Sequence, residues 1–88
     1  MAKIKVKKVI DGDTFQAGNR FFRLAGVNAP EKRERGFKKA KETLANLIEE
    51  NELIVKIEGQ SYTRKVVTAR IPGEKTTINE KMRRRGYK

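Results

Sequence analysis

The sequence contains no cysteine and no histidine among its 88 residues. Without cysteine there is no disulfide bond and no thiolate metal site, and without histidine the usual zinc sites are excluded. The same two absences exclude Ser-His and Cys-His nucleophiles and histidine-dependent metal chemistry. Any catalysis by this chain must therefore depend on carboxylates, arginine, lysine, hydroxyl groups or a hard cation.

Aspartate is also scarce, and long apolar runs are missing. The only two aspartates, Asp11 and Asp13, flank a single glycine near the N-terminus. The first ten residues alternate lysine with aliphatic residues, which is typical of neither a signal peptide nor a membrane span. We therefore expect a cytoplasmic protein that does not bind a membrane.

Positive charge is abundant instead. The chain has 22 lysines and arginines against 11 acidic residues, which gives a net charge of +11. A field of this sign attracts polyanions, and nucleic acid is the first candidate. The plainer alternative is a basic, solvated surface that aids solubility, but surfaces of mixed charge usually lie nearer neutrality. The charge therefore favours DNA or RNA as the partner.

Apolar periodicity predicts five short strands. The first contains a shift of phase over Lys8-Val9-Ile10 that indicates a bulge, and Gly18-Asn19 is typical of a two-residue hairpin turn. A polar connection is predicted between the last two strands, over residues 58–64. The predicted strands span residues 3–10, 14–16, 20–24, 53–57 and 65–71.

Two helices are predicted as well. Residues 36–50 place their apolar side chains on one face, and Thr77 with Glu80 forms a capping-box pattern before a short C-terminal helix. The chain length is that of one domain, residues 1–88. The order predicts an α+β, mainly β fold: a five-stranded Greek-key OB-fold barrel with a helix after strand three and a short C-terminal helix.

The segment Asp11-Gly12-Asp13 has two interpretations. Taken alone it is an ordinary turn in which the carboxylates accept backbone N–H groups. The functional interpretation is a site for a hard cation, because calcium and magnesium prefer oxygen ligands. Asn28 and Glu31, on the loop after the third predicted strand, would supply further oxygens.

Two arginines and a glutamate also have two interpretations each. Arg23 and Arg64 are either surface side chains or guanidinium groups that bind phosphate oxygens in pairs. Glu31 is either a solvated acid or a base that activates water. A metal, a base and a phosphate clamp together are sufficient for phosphodiester hydrolysis without histidine.

Tyr62, Arg83 and Arg84 are candidates for nucleic-acid binding. Tyr62, close to Arg64 in a polar segment, is suited to stacking on a base. Arg83 and Arg84 end the second predicted helix, where they complement the helix dipole. Contact with phosphate would be additional to that structural role.

Taken in order, these segments resemble the staphylococcal nuclease (thermonuclease) family. The similarity extends from about Ile4 to Lys88 and includes VIDGDTF, FRLAGVNAPE, the pair Tyr62 and Arg64, and Ile78-Asn79-Glu80. It implies an OB-fold barrel and a calcium-dependent nuclease that cleaves phosphodiester bonds of DNA and RNA.

The resemblance also implies residue roles on the metal side. The positions of Asp13 and Asn28 would hold Ca²⁺, and Asp11 would lie next to these ligands. Asn28 stands where the family normally has an aspartate. Because fewer charged ligands bind calcium less tightly, we expect weakened metal affinity.

On the phosphate side, the resemblance implies that Glu31 orients or activates the attacking water. Arg23 and Arg64 would bind the phosphate and stabilise charge in the transition state, and Tyr62 would contact the nucleotide. Our first hypothesis is a monomeric nuclease acting on single-stranded DNA or RNA. The alternatives are a non-catalytic OB-fold module that binds single-stranded nucleic acid, and a protein-interaction barrel whose charge serves solubility.

Overall fold

The computed structural model describes residues 2–88, within which six strands and two helices form. This composition confirms the α+β, mainly β class. The helices are α1 (Phe37–Ile48) and α2 (Ile78–Arg84). The strands are β1 (Ala2–Lys5), β2 (Lys8–Asp11), β3 (Thr14–Ala17), β4 (Arg20–Leu24), β5 (Glu52–Ser61) and β6 (Arg64–Arg70).

The first predicted strand is in fact two strands, separated by Val6 and Lys7. The Val6 N–H donates to the carbonyl of Asn51 (3.1 Å), whereas the Lys7 N–H donates to the carbonyl of Gln16 (2.7 Å). Asn51 directly precedes β5, and Gln16 lies in β3, so adjacent residues bond to different strands. The predicted bulge is confirmed, since the register of β2 with β3 shifts between Val9 and Asp11, but the division of the strand at Val6 and Lys7 was not predicted.

The sheet is open, with the strand order β1-β5-β6-β4-β3-β2. Neighbouring strands are antiparallel except β4 and β6, which pair in parallel. β1 and β2 follow one another in the chain, yet they form the two opposite edges of the sheet. The predicted five-stranded closed barrel is thus wrong in strand number and in closure, because β1 and β2 take separate partners.

One face of the sheet carries the apolar core. Phe15 and Phe22 are cross-strand partners on β3 and β4, and their rings stack with centroids 5.5 Å apart. α1 packs against β2 and α2 packs against β6, so the two helices cover different parts of this core. The largest fully buried side chains are Phe15, Leu24, Leu44, Ile48, Leu53, Ile78, Met82, Val27, Val55 and Val67.

Both predicted helices are present, with changed bounds. α1 is shorter than the predicted 36–50 and follows the fourth strand instead of the third, since the first predicted strand is divided. The cap of α2 is confirmed, because the Glu80 N–H donates to the Thr77 hydroxyl oxygen at 3.0 Å. Within residues 2–88, neither helix is long and apolar enough to cross a membrane.

The predicted polar connection between the last two strands is mostly strand. β5 continues to Ser61, which pairs with Arg64 at the start of β6. Only Tyr62 and Thr63 remain as the turn, and Tyr62 takes a positive φ of 55°. The polar residues that suggested a loop are the solvent-facing end of a long hairpin.

Candidate functional site

The two aspartates lie in the turn between β2 and β3, and this turn is packed tightly. The Asp13 N–H donates to Asp11 Oδ1 at 3.1 Å, as in an Asx turn. Gly12 between them is buried: a Cβ atom at this position would lie 2.5 Å from the Cβ of Ala29 and 2.7 Å from that of Ala40. The turn is therefore held against both the loop after β4 and helix α1.

Asp13 is the buried acid of this region, with only 8% of its surface exposed. Its Oδ1 accepts a hydrogen bond from the Thr14 hydroxyl (3.0 Å), and its Oδ2 accepts one from the Ala29 N–H (3.3 Å). Arg23 Nη2 lies 3.7 Å from the same Oδ2. Structural hydrogen bonds and an ion pair thus share one carboxylate.

Arg23 is held by the loop that follows its own strand. Besides the ion pair with Asp13, its Nη2 donates to Asn28 Oδ1 at 3.0 Å and to the Val27 carbonyl at 3.3 Å. A single cationic nitrogen is therefore surrounded by a carboxylate, an amide and a carbonyl oxygen. These are the ligand types that a hard cation uses.

Arg64 is connected to Asp13 through Thr14. Its Nη1 donates to the Thr14 hydroxyl oxygen at 3.4 Å, and Thr14 in turn donates to Asp13. Thr14 also pairs with Arg23 across β3 and β4, so this residue adjoins both arginines. Of the two predicted phosphate-binding arginines, Arg23 thus lies beside the buried carboxylate of Asp13, and Arg64 is linked to it through Thr14.

Asp11 is half-buried and has a perturbed pKa. Burial, followed by the hydrogen bond and the charge of neighbouring Asp13, raises the pKa of Asp11 from 3.8 to about 6. The direction follows because burial and a nearby carboxylate both disfavour the ionised form. The Asp11 carboxyl therefore gains a proton more readily than an ordinary aspartate.

Glu31 lies on the exposed segment that precedes α1. Its N–H bonds to Glu34 Oε1 (2.7 Å), and its carbonyl accepts the Glu34 N–H (2.8 Å). The ion pairs found within residues 2–88 do not include Glu31. Those residues also contain no group of three or more acidic side chains placed to hold a metal. The structure thus brings Asp11, Asp13, Arg23 and Asn28 together, whereas Glu31 lies on an exposed segment and bonds to Glu34.

The predicted nucleic-acid contacts lie further out. Tyr62, at the tip of the β5–β6 hairpin, is 89% exposed. Arg84 pairs with Glu80 at 3.3 Å, whereas Arg83 Nη1 lies 3.9 Å from where a Cβ atom of Gly26 would be. Arg83 is therefore beside the loop that carries Asn28.

Two further residues matter whose roles the sequence did not indicate. Thr14 connects Arg64 to Asp13 through hydrogen bonds. The only indication of this role in the sequence is its position directly after Asp13. Asn79 on α2 is buried: its Oδ1 accepts from the Ala69 N–H (2.9 Å), and its Nδ2 donates to the carbonyls of Ala25 (2.9 Å) and Val67 (3.0 Å). Asn79 fixes α2 against the parallel pair of strands, and so supports the strand that carries Arg23.

Comparison with protein families identifies a match over most of the chain. A family model described as "Staphylococcal nuclease homologue" matches residues 21–88. This span includes Arg23 and Arg64, whereas Asp11 and Asp13 precede it. None of the curated proteins compared with the chain matches it.

Proposed function

Since the chain belongs to the staphylococcal nuclease homologue family, we propose that it is a metal-dependent nuclease that hydrolyses phosphodiester bonds of DNA or RNA. The observation that carries this proposal is that Arg23 pairs with Asp13 while Arg64 is linked to the same carboxylate through the Thr14 hydroxyl. Two guanidinium groups near a single carboxylate form a locally positive site for a phosphodiester group. The net charge of +11 would bring such a substrate to it.

A metal ion, Ca²⁺ in the first instance, belongs to this proposal. The oxygens of Asp13, Asn28 and Val27 that surround Arg23 Nη2 have the chemistry a hard cation requires. Asp13 and Asn28 would hold the ion, with Asp11 next to them. When bound, the ion would act as a Lewis acid that draws negative charge from a phosphate oxygen.

The protein's own side chains account for the remaining chemistry. Glu31 accepts a proton from the attacking water, whose oxygen forms a bond to phosphorus. Arg23 and Arg64 offset the negative charge that grows on the phosphate oxygens in the transition state. The bond from phosphorus to the leaving oxygen then breaks, and that oxygen takes a proton from solvent.

Cleavage of single-stranded DNA and RNA, with calcium or with a chelator, tests the proposal. Glu31→Gln and Arg23→Ala should each lower the rate by a factor on the order of 10²–10³. Glu42→Gln on the exposed side of α1 and Arg20→Ala at the start of β4 remove the same charges away from the site. The nuclease assignment is wrong if chelation and both site variants leave cleavage unchanged.

The metal requirement has a separate test in Asn28→Asp. A third carboxylate near Asp11 and Asp13 should tighten calcium binding, because ligand charge sets the affinity of such sites. Calorimetric titration of the wild type and the variant measures this directly. Equal affinities would show that residue 28 does not contact the ion.

The exposed position of Glu31 and the lack of a three-acid group within residues 2–88 favour a second candidate function. In that case the domain binds single-stranded nucleic acid without cutting it. Affinity would fall steeply with salt, since phosphate contacts release counterions, and it would not require a metal. Salt-dependent binding in chelator, with no product after prolonged incubation, distinguishes this candidate from the nuclease.

A further inference from the structure

Phe21 is an exposed aromatic side chain within the candidate site. It lies on β4 and is 38% exposed, although the next residue, Phe22, is buried. Isolated exposed apolar residues are common and need no explanation. Phe21 differs from such residues in the side chains that surround it.

The strand register places Phe21 next to both arginines. In the parallel pair of β4 and β6, Phe21 is the partner of Arg64. Arg23 follows Phe21 by two residues in the same strand, and alternate residues share one face of a sheet. Phe21, Arg23 and Arg64 therefore form one cluster on the solvent-facing side, with Phe22 on the core side.

A nucleotide presents a negative phosphate and a flat base together, and this cluster offers a partner for each. Guanidinium groups bind phosphate oxygens, and an aromatic ring offers a stacking surface to a base. We propose that Phe21 stacks on a base of the nucleotide whose phosphate lies at Arg23 and Arg64. This inference rests on the proposed function, and it adds a base-contacting residue to the two arginines that bind the phosphate.

The single-strand preference follows from the stacking contact. A base inside a duplex is already stacked on its neighbours, so it can lie on Phe21 only when it is unpaired. Stacking on an aromatic ring tolerates any base, because every base has a π-face. The cluster should therefore select single strands and show little sequence preference.

Fluorescence anisotropy with a labelled oligothymidylate, in chelator so that no cleavage occurs, measures the contact. Phe21→Leu keeps an apolar side chain but removes the ring, and should weaken binding about 5- to 100-fold. Phe21→Tyr keeps the ring and should bind with an affinity within about twofold of the wild type. Ile57→Leu changes an apolar residue on β5 that is 54% exposed, and should have no effect.

An abasic oligonucleotide of equal length separates stacking from a change in the protein. The wild type should bind it more weakly than oligothymidylate, and Phe21→Leu should cause no further loss. The inference is overturned if Phe21→Leu binds oligothymidylate like the wild type, or weakens both oligonucleotides equally. If the wild type binds neither oligonucleotide in chelator and cuts neither with calcium, the proposed function fails as well. If it binds in chelator or cuts with calcium but Phe21→Leu behaves like the wild type, only the stacking contact fails.

Discussion

Replacing Gly12 with alanine should destabilise the protein strongly, because no space exists for the added methyl group. Its Cβ would lie 2.5 Å from the Cβ of Ala29 and 2.7 Å from that of Ala40. Carbon atoms in contact normally lie about 3.5–4.0 Å apart, so each neighbour must move by roughly 1 Å. Neither can rotate away, because a Cβ atom is fixed to its backbone. Either the loop or helix α1 must therefore shift.

Overpacking of this kind typically costs about 1–3 kcal/mol. We expect the upper half of that range for Gly12→Ala, about 2–3 kcal/mol, because two rigid contacts are violated together. For a domain of this size, each 1 kcal/mol lowers Tm by about 4–8 °C. Urea unfolding and a thermal scan, with the wild type measured alongside, provide the free energy and the midpoint.

Gly59→Ala is the matched control. A Cβ atom there meets nothing within 4 Å, so the variant should stay within about 1 kcal/mol of the wild type. Combining Gly12→Ala with Ala29→Gly removes the shorter contact and should recover part of the lost stability. The packing argument is refuted if Gly12→Ala unfolds at the same urea concentration as Gly59→Ala.

Three further outcomes follow from the geometry. Because folding raises the pKa of Asp11, protonation of this carboxyl stabilises the fold. The contribution is complete below about pH 4 and is lost as the pH rises through about 6. Between pH 4 and pH 7 in chelator, the free energy of unfolding of the wild type in urea should fall by on the order of 1 kcal/mol more than that of Asp11→Asn. This value is discounted because Asp11 is half exposed. Equal pH dependence of the two proteins would contradict this. Asn79→Ala removes three side-chain hydrogen bonds to the backbone, although the Val67 carbonyl keeps the Ala25 N–H as a donor. It should lower the free energy of unfolding by about 2–4 kcal/mol, whereas a loss below about 1 kcal/mol would contradict that account. Arg83→Ala should weaken oligonucleotide binding and reduce the slope of log affinity against log salt concentration by about 1. Arg84→Ala should change both quantities less, because Arg84 is already paired with Glu80. Equal effects of the two variants would refute this distinction.

Local rules predicted the features that depend on neighbouring residues. The turn at Gly18-Asn19 is present, since Ala17 pairs with Arg20, and Gly18 has the positive φ that such a turn needs. The cap at Thr77 is present for the same reason, because donor and acceptor lie three residues apart. These contacts are determined within a few residues of sequence.

Features that depend on distant partners were not predicted. The division of the first strand follows from its pairing with β5 on one side and β3 on the other, and the sequence contains no local sign of this. The strand length of β5 was underestimated because its outer end is polar and solvent-facing. Periodicity detects a buried face, and these residues have none.

The candidate site shows the same limit. The sequence suggested Asp13, Arg23 and Arg64 by residue type, but their relation depends on β4 and β6 lying in parallel. The hydrogen bond from Arg64 to Thr14 joins residues 50 positions apart. Whether Glu31 belongs with them could not be read from spacing either, since its loop has no periodic pattern.

The anchoring of Arg23 limits how this side chain can serve any ligand. A guanidinium group forms bidentate hydrogen bonds to two oxygens through one of two donor pairs, either Nε with Nη2 or Nη1 with Nη2. Nη2 has only two hydrogens, and the oxygens of Asp13, Val27 and Asn28 already surround it. Arg23 therefore offers a phosphate only single contacts until the loop releases it. Its side chain can hold the loop after β4 or form bidentate hydrogen bonds to a ligand, but it cannot make all of these hydrogen bonds at the same time.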